Sequence, residues 1–315
     1  MPKPEILRVG PYPERDQVPL DQPHTVLRYF KMAVPASFLN ECGRAIRGIA
    51  TRDELGADRK MTGAFPNLEI NSVYEVGYDA VDLDSCRERS VRVTSAPDVL
   101  TCDVADLGVA MLPCQARGMI AADAWMRGGD RAREDLRPPK RRVHWARAGV
   151  LGLGRVGRQV ARRLAGLDME IAHTDLAPRD CTQDRAFIAD PVELARHSDY
   201  LFVALAASDE IRRFVGREVV EAVGPEGTVI NIRRASHIGE AALLNALESG
   251  ALGCVVLDVF EGEPELSPRF LKPESVRLQP RHASGTVETR KAMGKLVRDN
   301  LAAHFSGRPL LTPAQ

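Results

Sequence analysis

The chain has 315 residues, 44% of them apolar, and its 43 basic side chains balance 43 acidic ones to a formal net charge of zero. That length suits two domains with sizeable cores, and the charge balance removes the electrostatic case for nucleic acid or an anionic membrane as partner. No apolar run reaches the ~18 residues of a membrane span, MPKPEILRVG lacks a signal-peptide core, and Cys42, Cys86, Cys102, Cys114, Cys181 and Cys254 are scattered without a C-x-x-C pair, which points to a reduced, cytoplasmic protein.

Residues 1–97 alternate short apolar runs with polar, helix-like pieces. Strands are expected at 6–9, 25–30, 46–51, 68–73 and 91–94, with helices at 36–44 and 81–89 between them. This is the spacing of a parallel sheet covered on its faces. The loop SVYEVGYDAVD, from Ser72 to Asp82, contains Gly77. It is either a backbone cradle for a small carboxylate or an ordinary strand-to-helix turn, and the residues alone do not choose. Past Pro97, residues 98–127 read as one long helix, apolar at Val104, Leu107, Val109, Met111 and Leu112, which Pro113 should kink or interrupt. Gly-Gly and Pro-Pro make 128–140 a loop, and the arginine-rich piece at 127–147 reads as a solvated face.

From Val150 to Asp175 the chain runs VLGLGRVGRQVARRLAGLDMEIAHTD. Gly152, Gly154 and Gly157 form G-x-G-x-x-G between an expected strand and an expected helix at 156–167. The first glycine allows a tight turn, the second a close approach to a pyrophosphate, and the third close helix–strand packing. The helix N-terminus, at Arg155 and Val156, turns its N–H groups and positive dipole end toward the phosphates. Asp175 lies where a carboxylate takes ribose hydroxyls. Val156, Val160 and Leu164 share one face for the sheet. Strands at 169–174, 200–205, 228–232, 254–260 and 276–278 alternate with helices at 191–197 and 239–248, and a last helix covers 287–305. Ligands of such doubly wound sheets sit at the carboxyl ends of the strands. His144, His173 and His197 show no paired ligand spacing, so no metal is expected, and His237 reads as structural.

These segments together resemble the D-isomer-specific 2-hydroxyacid dehydrogenases, in their glyoxylate/hydroxypyruvate reductase-like branch. The resemblance is carried by VGYDAVD (76–82), the glycine fingerprint, INIRRAS (230–236), LDVFEGEP (257–264), P-x-H-A-S-G-T (280–286) and NLAAHFSGRPLLTP (300–313). It implies two doubly wound parallel-sheet α/β domains: a flavodoxin-like substrate domain from 1–97 and 287–315, and a Rossmann dinucleotide-binding domain from 98–286, with the active site in the cleft. It also implies a homodimer paired through the nucleotide domains, and hydride transfer between NAD(P) and a small 2-oxo or D-2-hydroxy acid.

The motifs assign roles residue by residue. Arg234 is the cation that grips the substrate carboxylate, and Glu263 is the carboxylate beside the acid. Asp258 lies near the nicotinamide, Thr101 and Ile232 line the cofactor path, and Val76 and Gly77 offer backbone N–H groups to the substrate.

Three positions depart from the pattern. Arg281 stands where the family has its acidic histidine, and His282 is one place late. An arginine keeps its proton at any working pH, so His282, or a water held by Glu263, is expected to deliver the proton. Glu75 replaces a glycine in the carboxylate loop, where it repels an anion unless it turns away or pairs with Arg281. Gly239 replaces an aspartate that would cap a helix. A second expectation follows: a catalytically impaired member that binds a dinucleotide in a regulatory or structural role. Asp175 followed by Leu176 favours NAD over NADP, and Arg179 argues the other way.

Overall fold

The computed structural model describes residues 3–32, 43–52, 54–132, 137–175, 185–206, 211–271 and 275–314. The expected helix at 36–44, and Cys42, Leu176, Arg179 and Cys181, lie wholly or largely outside them. The chain divides into two compact units, Met1–Leu100 with Gly285–Gln315, and Thr101–Ser284. Among the described residues no helix is long and apolar enough to cross a membrane.

The first unit is built on five parallel strands: β1 (Glu5–Arg8), β2 (Thr25–Arg28), β3 (Ile46–Thr51), β4 (Ile70–Val73) and β5 (Arg92–Thr94), in the order β2-β1-β3-β4-β5. That is the flavodoxin-like order. Three helices fall between them, α1 (Glu14–Asp21), α2 (Arg59–Ala64) and α3 (Leu83–Glu88). The last two begin at aspartates whose carboxylates accept first-turn N–H groups, Asp58 from Met61 and Asp82 from Ser85, each at 2.7 Å. Leu7, Ile46, Ile49, Phe65, Val73 and Val93 form one buried cluster. Strand β2 is shorter than the periodicity suggests, because Tyr29–Lys31 tightens into a 3-10 turn.

The C-terminal helix, Val287–Phe305, packs in this unit. Its anchor is Asp16 of α1, 3% exposed. The Asp16 carboxylate accepts from Arg298 at 2.6 Å and from the Tyr74 hydroxyl at 3.0 Å. A Cβ on Gly294 would collide with Asp16 Oδ1, so only glycine lets the two helices approach here.

The second unit has seven parallel strands: β6 (Arg147–Leu151), β7 (Glu170–Thr174), β8 (Ala186–Phe187), β9 (Tyr200–Val203), β10 (Thr228–Asn231), β11 (Cys254–Leu257) and β12 (Val276–Leu278). Their order, β12-β11-β10-β9-β6-β7-β8, is the Rossmann order with one strand added at the far edge. The helices are α4 (Thr101–Ala116), α5 (Met119–Arg127), α6 (Arg155–Ala165), α7 (Pro191–His197), α8 (Arg217–Val223) and α9 (Glu240–Ser249). On α6, Val156, Val160 and Leu164 are all buried, at the spacing of one face.

Two expectations need correction. The stretch 98–127 is two helices, and the break is not at Pro113, which lies inside α4. It comes at Gly118, whose left-handed backbone (φ 59°) ends the helical path. The strands expected at 200–205 and 254–260 stop at Val203 and Leu257. They stop where their neighbours do: Leu151 pairs with Val203, Val203 with Asn231, Asn231 with Leu257, and Leu257 with Leu278. Thr174, the last residue of β7, pairs with Leu151 as well, so six strands end level.

Two stability predictions follow. Arg298→Ala removes the hydrogen-bonded cation from the buried Asp16 carboxylate and leaves only Arg15, 3.9 Å away. It should cost roughly 3–5 kcal/mol of stability, read as a lower denaturation midpoint in urea. In the second unit, His173 on β7 is fully buried and neither ring nitrogen has a hydrogen-bonding partner. Burial holds its pKa below the ordinary 6.5; a backbone contact with Ala186 and the charge of Asp175 oppose this without cancelling it. The unfolded chain takes up this proton near 6.5 and the folded chain only at lower pH. The contribution is thus fully present above 6.5 and lost as pH falls below it. The melting temperature should drop between pH 7.5 and 5.5, and His173→Phe should shrink that drop by a few °C, on the order expected for ~1 kcal/mol.

Candidate active site

The glycine turn follows β6 directly. Gly152 has φ 89°, and a Cβ there would lie 2.8 Å from Leu205 Cα. A Cβ on Gly157 would collide with the Gly152 carbonyl oxygen, whereas one on Gly154 would meet nothing within 4 Å. Two glycines are thus required by the fold, and Gly154 faces open space. Gly154 is also the N-cap of α6, and no side chain caps that helix. The first-turn N–H groups at Arg155, Val156 and Gly157 are directed at that space, with the positive end of the helix dipole behind them. The Val156 side chain packs into the core, so its part in a phosphate site falls to its backbone. Asp175 comes just past β7, and its carboxylate accepts the Leu153 N–H at 3.0 Å. This ties the acid to the turn itself. An open glycine, an uncapped helix start and a tethered acid fit a dinucleotide.

Next along the rim comes the loop after β10. The Asn231 side chain accepts the Arg233 N–H at 3.1 Å and donates to the Arg234 carbonyl at 2.8 Å. It thereby fixes the backbone that carries Arg234. Asn231 is buried, and its role escapes motif reading. The signal was an Asn two residues before the functional segment, the usual spacing for a side chain that closes a turn. Ile232 is 3% exposed, and a Cβ on Gly108 of α4 would lie 2.6 Å from its Cδ1; its side chain belongs to the core beneath the rim. Thr101 is the half-exposed first residue of α4.

Beyond β11 and β12 lie the acidic groups. Buried Asp258 accepts two backbone N–H groups, from His282 at 2.7 Å and from Ala283 at 3.0 Å. Burial pushes its pKa above the usual carboxylate range, against these two bonds and the charge of Arg281. The loop it holds carries Arg281 in the left-handed region, at φ 53°. That backbone sends the guanidinium to Glu263: Nη1 donates to Oε2 at 3.1 Å, while Glu263 Oε1 accepts the Phe260 N–H at 2.9 Å. His282 is exposed, and its ring makes no hydrogen bond to the described residues. Arg281, not His282, is therefore the partner of Glu263. Gly239 is the N-cap of α9 without a side-chain cap, as its small size predicts.

In the first unit, Val76 and Gly77 follow β4 and are half-buried, and neither N–H makes a hydrogen bond among the described residues. This favours the cradle over the ordinary turn. Glu75 forms an ion pair with Arg52, Nε to Oε1 at 3.3 Å, which offsets its charge locally.

Comparisons with known proteins find relatives over nearly the whole chain. A family model described as "D-isomer specific 2-hydroxyacid dehydrogenase, NAD binding domain" matches residues 109–283. The chain is 41% identical over 294 residues to hydroxyphenylpyruvate reductase of Plectranthus scutellarioides, covering 93% of each. Its structure is similar to that of a 2-hydroxyacid dehydrogenase from Ketogulonicigenium vulgare Y25, with TM-score 0.96, 60% identity and coverage of 100% of this chain and 99% of that one. It is similar also to an NADPH-dependent glyoxylate/hydroxypyruvate reductase from Sinorhizobium meliloti in complex with NADP and malonate, with TM-score 0.91, 35% identity and coverage of 99% and 97%. With two parallel-sheet domains, a dinucleotide turn and an arginine-bearing rim in place, the chain belongs to the D-isomer-specific 2-hydroxyacid dehydrogenase family.

Proposed function

We propose that this chain reduces a small 2-oxo acid, glyoxylate- or hydroxypyruvate-like, to the D-2-hydroxy acid with NAD(P)H, and catalyses the reverse reaction. The observation that carries the reading is the level rim of the second sheet, which bears the glycine turn, Arg234, Asp258 and the Arg281–Glu263 pair together. Residues 1–97 and 287–315 are assigned as the substrate domain and 98–286 as the dinucleotide-binding domain, a division supported by the two compact units. The reading without turnover gains nothing from the relatives named above, which are reductases and a dehydrogenase.

When bound, the nicotinamide supplies or accepts the hydride. Arg234 grips the substrate carboxylate, for which a planar guanidinium is suited, and Val76 and Gly77 offer it backbone N–H groups. Arg281 presents a permanent positive charge, held by Glu263. It stabilises negative charge developing on the carbonyl oxygen but does not give up a proton. The proton then comes from water at Glu263, and exposed His282 is the second candidate donor. Asp175 takes the ribose hydroxyls and disfavours a 2′-phosphate, so NAD is favoured over NADP. The free cysteines support a cytoplasmic setting. Exposed Met119, Ile120 and Met126 on α5 support a homodimer.

NADH oxidation with glyoxylate and hydroxypyruvate tests the reaction. Wild type should turn over both, and Arg234→Gln should lower kcat/KM by about 10²-fold or more, the scale of a lost charged contact to substrate. Absence of turnover on any 2-oxo acid would sink the reading. Arg281→His installs an acid that titrates near neutrality and should raise kcat on the order of 10²-fold, with a new acid-side pH dependence. An unchanged kcat rejects the role given to Arg281, and loss of turnover in His282→Ala assigns the proton to His282. For the cofactor, calorimetry should show NADH binding more tightly than NADPH. Gly154→Ala should keep the wild-type melting temperature yet weaken NADH at least tenfold, because its methyl enters the open space and nothing else.

A further inference from the structure

Two segments of the second unit share one support. Asn231 and Ala235 flank the residues that include Arg234, and Val259 and Phe260 lead to Glu263. All four wall the same narrow cavity, together with Glu240 and Phe270. It encloses about 10 Å³, room for one water molecule at most. Among the described residues Glu240 is the one charged side chain in a lining that is otherwise apolar apart from Asn231.

Glu240 opens α9, where Gly239 leaves the N-cap without a side chain. Its carboxylate is half-buried and accepts the Glu261 N–H at 2.8 Å, across 21 residues of sequence. No cation forms an ion pair with it among the described residues. Burial pushes its pKa above the usual carboxylate range, and the Glu261 charge adds to the rise, against this hydrogen bond and the charge of Arg269. A carboxylate in an apolar wall is costly unless it holds a hydrogen bond. The bond it holds goes to the backbone of the Glu263 segment.

That bond lies one peptide away from the group that orients Glu263. The Glu261 N–H belongs to the peptide that follows Phe260 Cα. The Phe260 N–H belongs to the peptide before it, and donates to Glu263 Oε1 at 2.9 Å. The two planes meet at a single Cα atom, so fixing one limits the swing of the other. Glu263 then presents Oε2 to Arg281. A continuous series therefore runs from Glu240 through the two peptides and Glu263 to Arg281. Without its first link, the Phe260 N–H is held only by the side chain it is there to hold.

We propose that Glu240 is a positioning residue for the Glu263–Arg281 pair, acting through the Glu261 N–H and not by contact with the reacting atoms. The inference rests on the reaction proposed above. Its test uses the full-length chain with NADH and hydroxypyruvate. Glu240→Ala removes the acceptor, whereas Glu240→Gln keeps an oxygen for the N–H and carries no charge. Glu240→Ala should lower kcat roughly tenfold, a fraction of the ~10²-fold that a misplacement of ~1 Å costs. KM and the Kd for NADH should stay within about twofold of wild type. Glu240→Gln should recover most of kcat. In a Glu263→Ala background the alanine at 240 should cost less than about twofold, because the group it positions is already gone. Amide exchange across residues 259–263 should quicken in Glu240→Ala and not in Glu240→Gln, a readout independent of turnover. Alanine suits a helical turn, so melting temperatures should stay within a few °C of wild type.

Four results would overturn the proposal. The first is unchanged kcat or unchanged exchange in Glu240→Ala. The second is an equal loss in Glu240→Gln, which makes the charge and not the bond the cause. The third is a full, additive loss in the Glu263→Ala background. The fourth is a KM and an NADH affinity that worsen in step with kcat, the mark of a general loosening. If wild type turns over no 2-oxo acid, the reaction itself is refuted, and the exchange comparison alone decides whether Glu240 holds the segment.

Discussion

Six strands of the second sheet end in one register, Thr174, Leu151, Val203, Asn231, Leu257 and Leu278 being linked through successive pairings. The residues that come next are Asp175, Gly152, Ala204, Ile232, Asp258 and Gln279. Backbone hydrogen bonding thus decides which side chains share a rim, before any of them makes a polar contact of its own. Asp175 is tied back to the glycine turn, Asn231 closes the loop that carries Arg234, and Asp258 holds the loop that carries Arg281. Each of these proposed site groups is served by a buried or half-buried polar neighbour that bonds to backbone. The proposed site residues are displayed on loops, and the loops are clamped to strand ends.

The Arg281–Glu263 pair shows what one substitution does inside such a clamp. Asp258 sets the backbone of residues 282 and 283 whatever side chain stands at 281, and the left-handed backbone at 281 directs that side chain to Glu263. The position thus selects a partner for Glu263 by geometry. An arginine there yields an ion pair with fixed charge, where a histidine would yield a pair that exchanges a proton. In the proposed reaction the fixed charge at 281 still stabilises developing negative charge, while the proton has to come from another donor.

Much of this was legible in the residues. The helix at 191–197, the strand at 276–278 and the helix at 287–305 begin and end where pattern places them, because Asp190 and Thr286 cap the helices and β12 is a short edge strand. The glycine fingerprint was readable because each glycine answers a separate steric demand. Other features depend on long-range facts that no local window contains. Strands β9 and β11 stop short because their neighbours stop, and α4 passes through Pro113 because the left-handed turn comes only at Gly118. The partner of Glu263 was open for the same reason. Alternation along an extended segment separates Arg281 from His282 but does not say which one turns inward. That choice is made by Asp258, more than twenty residues earlier in the chain.

The contact of Gly294 with Asp16 has a bearing on how the molecule is made. The second unit is one uninterrupted run, Thr101–Ser284, and all its strands are available once that run has left the ribosome. The first unit is split: its sheet is encoded in the first hundred residues, yet Asp16 waits for Arg298 and the close approach of Gly294. During synthesis the earlier-translated unit is therefore the later one to be completed. Until the last thirty residues arrive, it holds an acidic group meant for burial and an uncovered sheet face, the kind of surface that chaperones recognise.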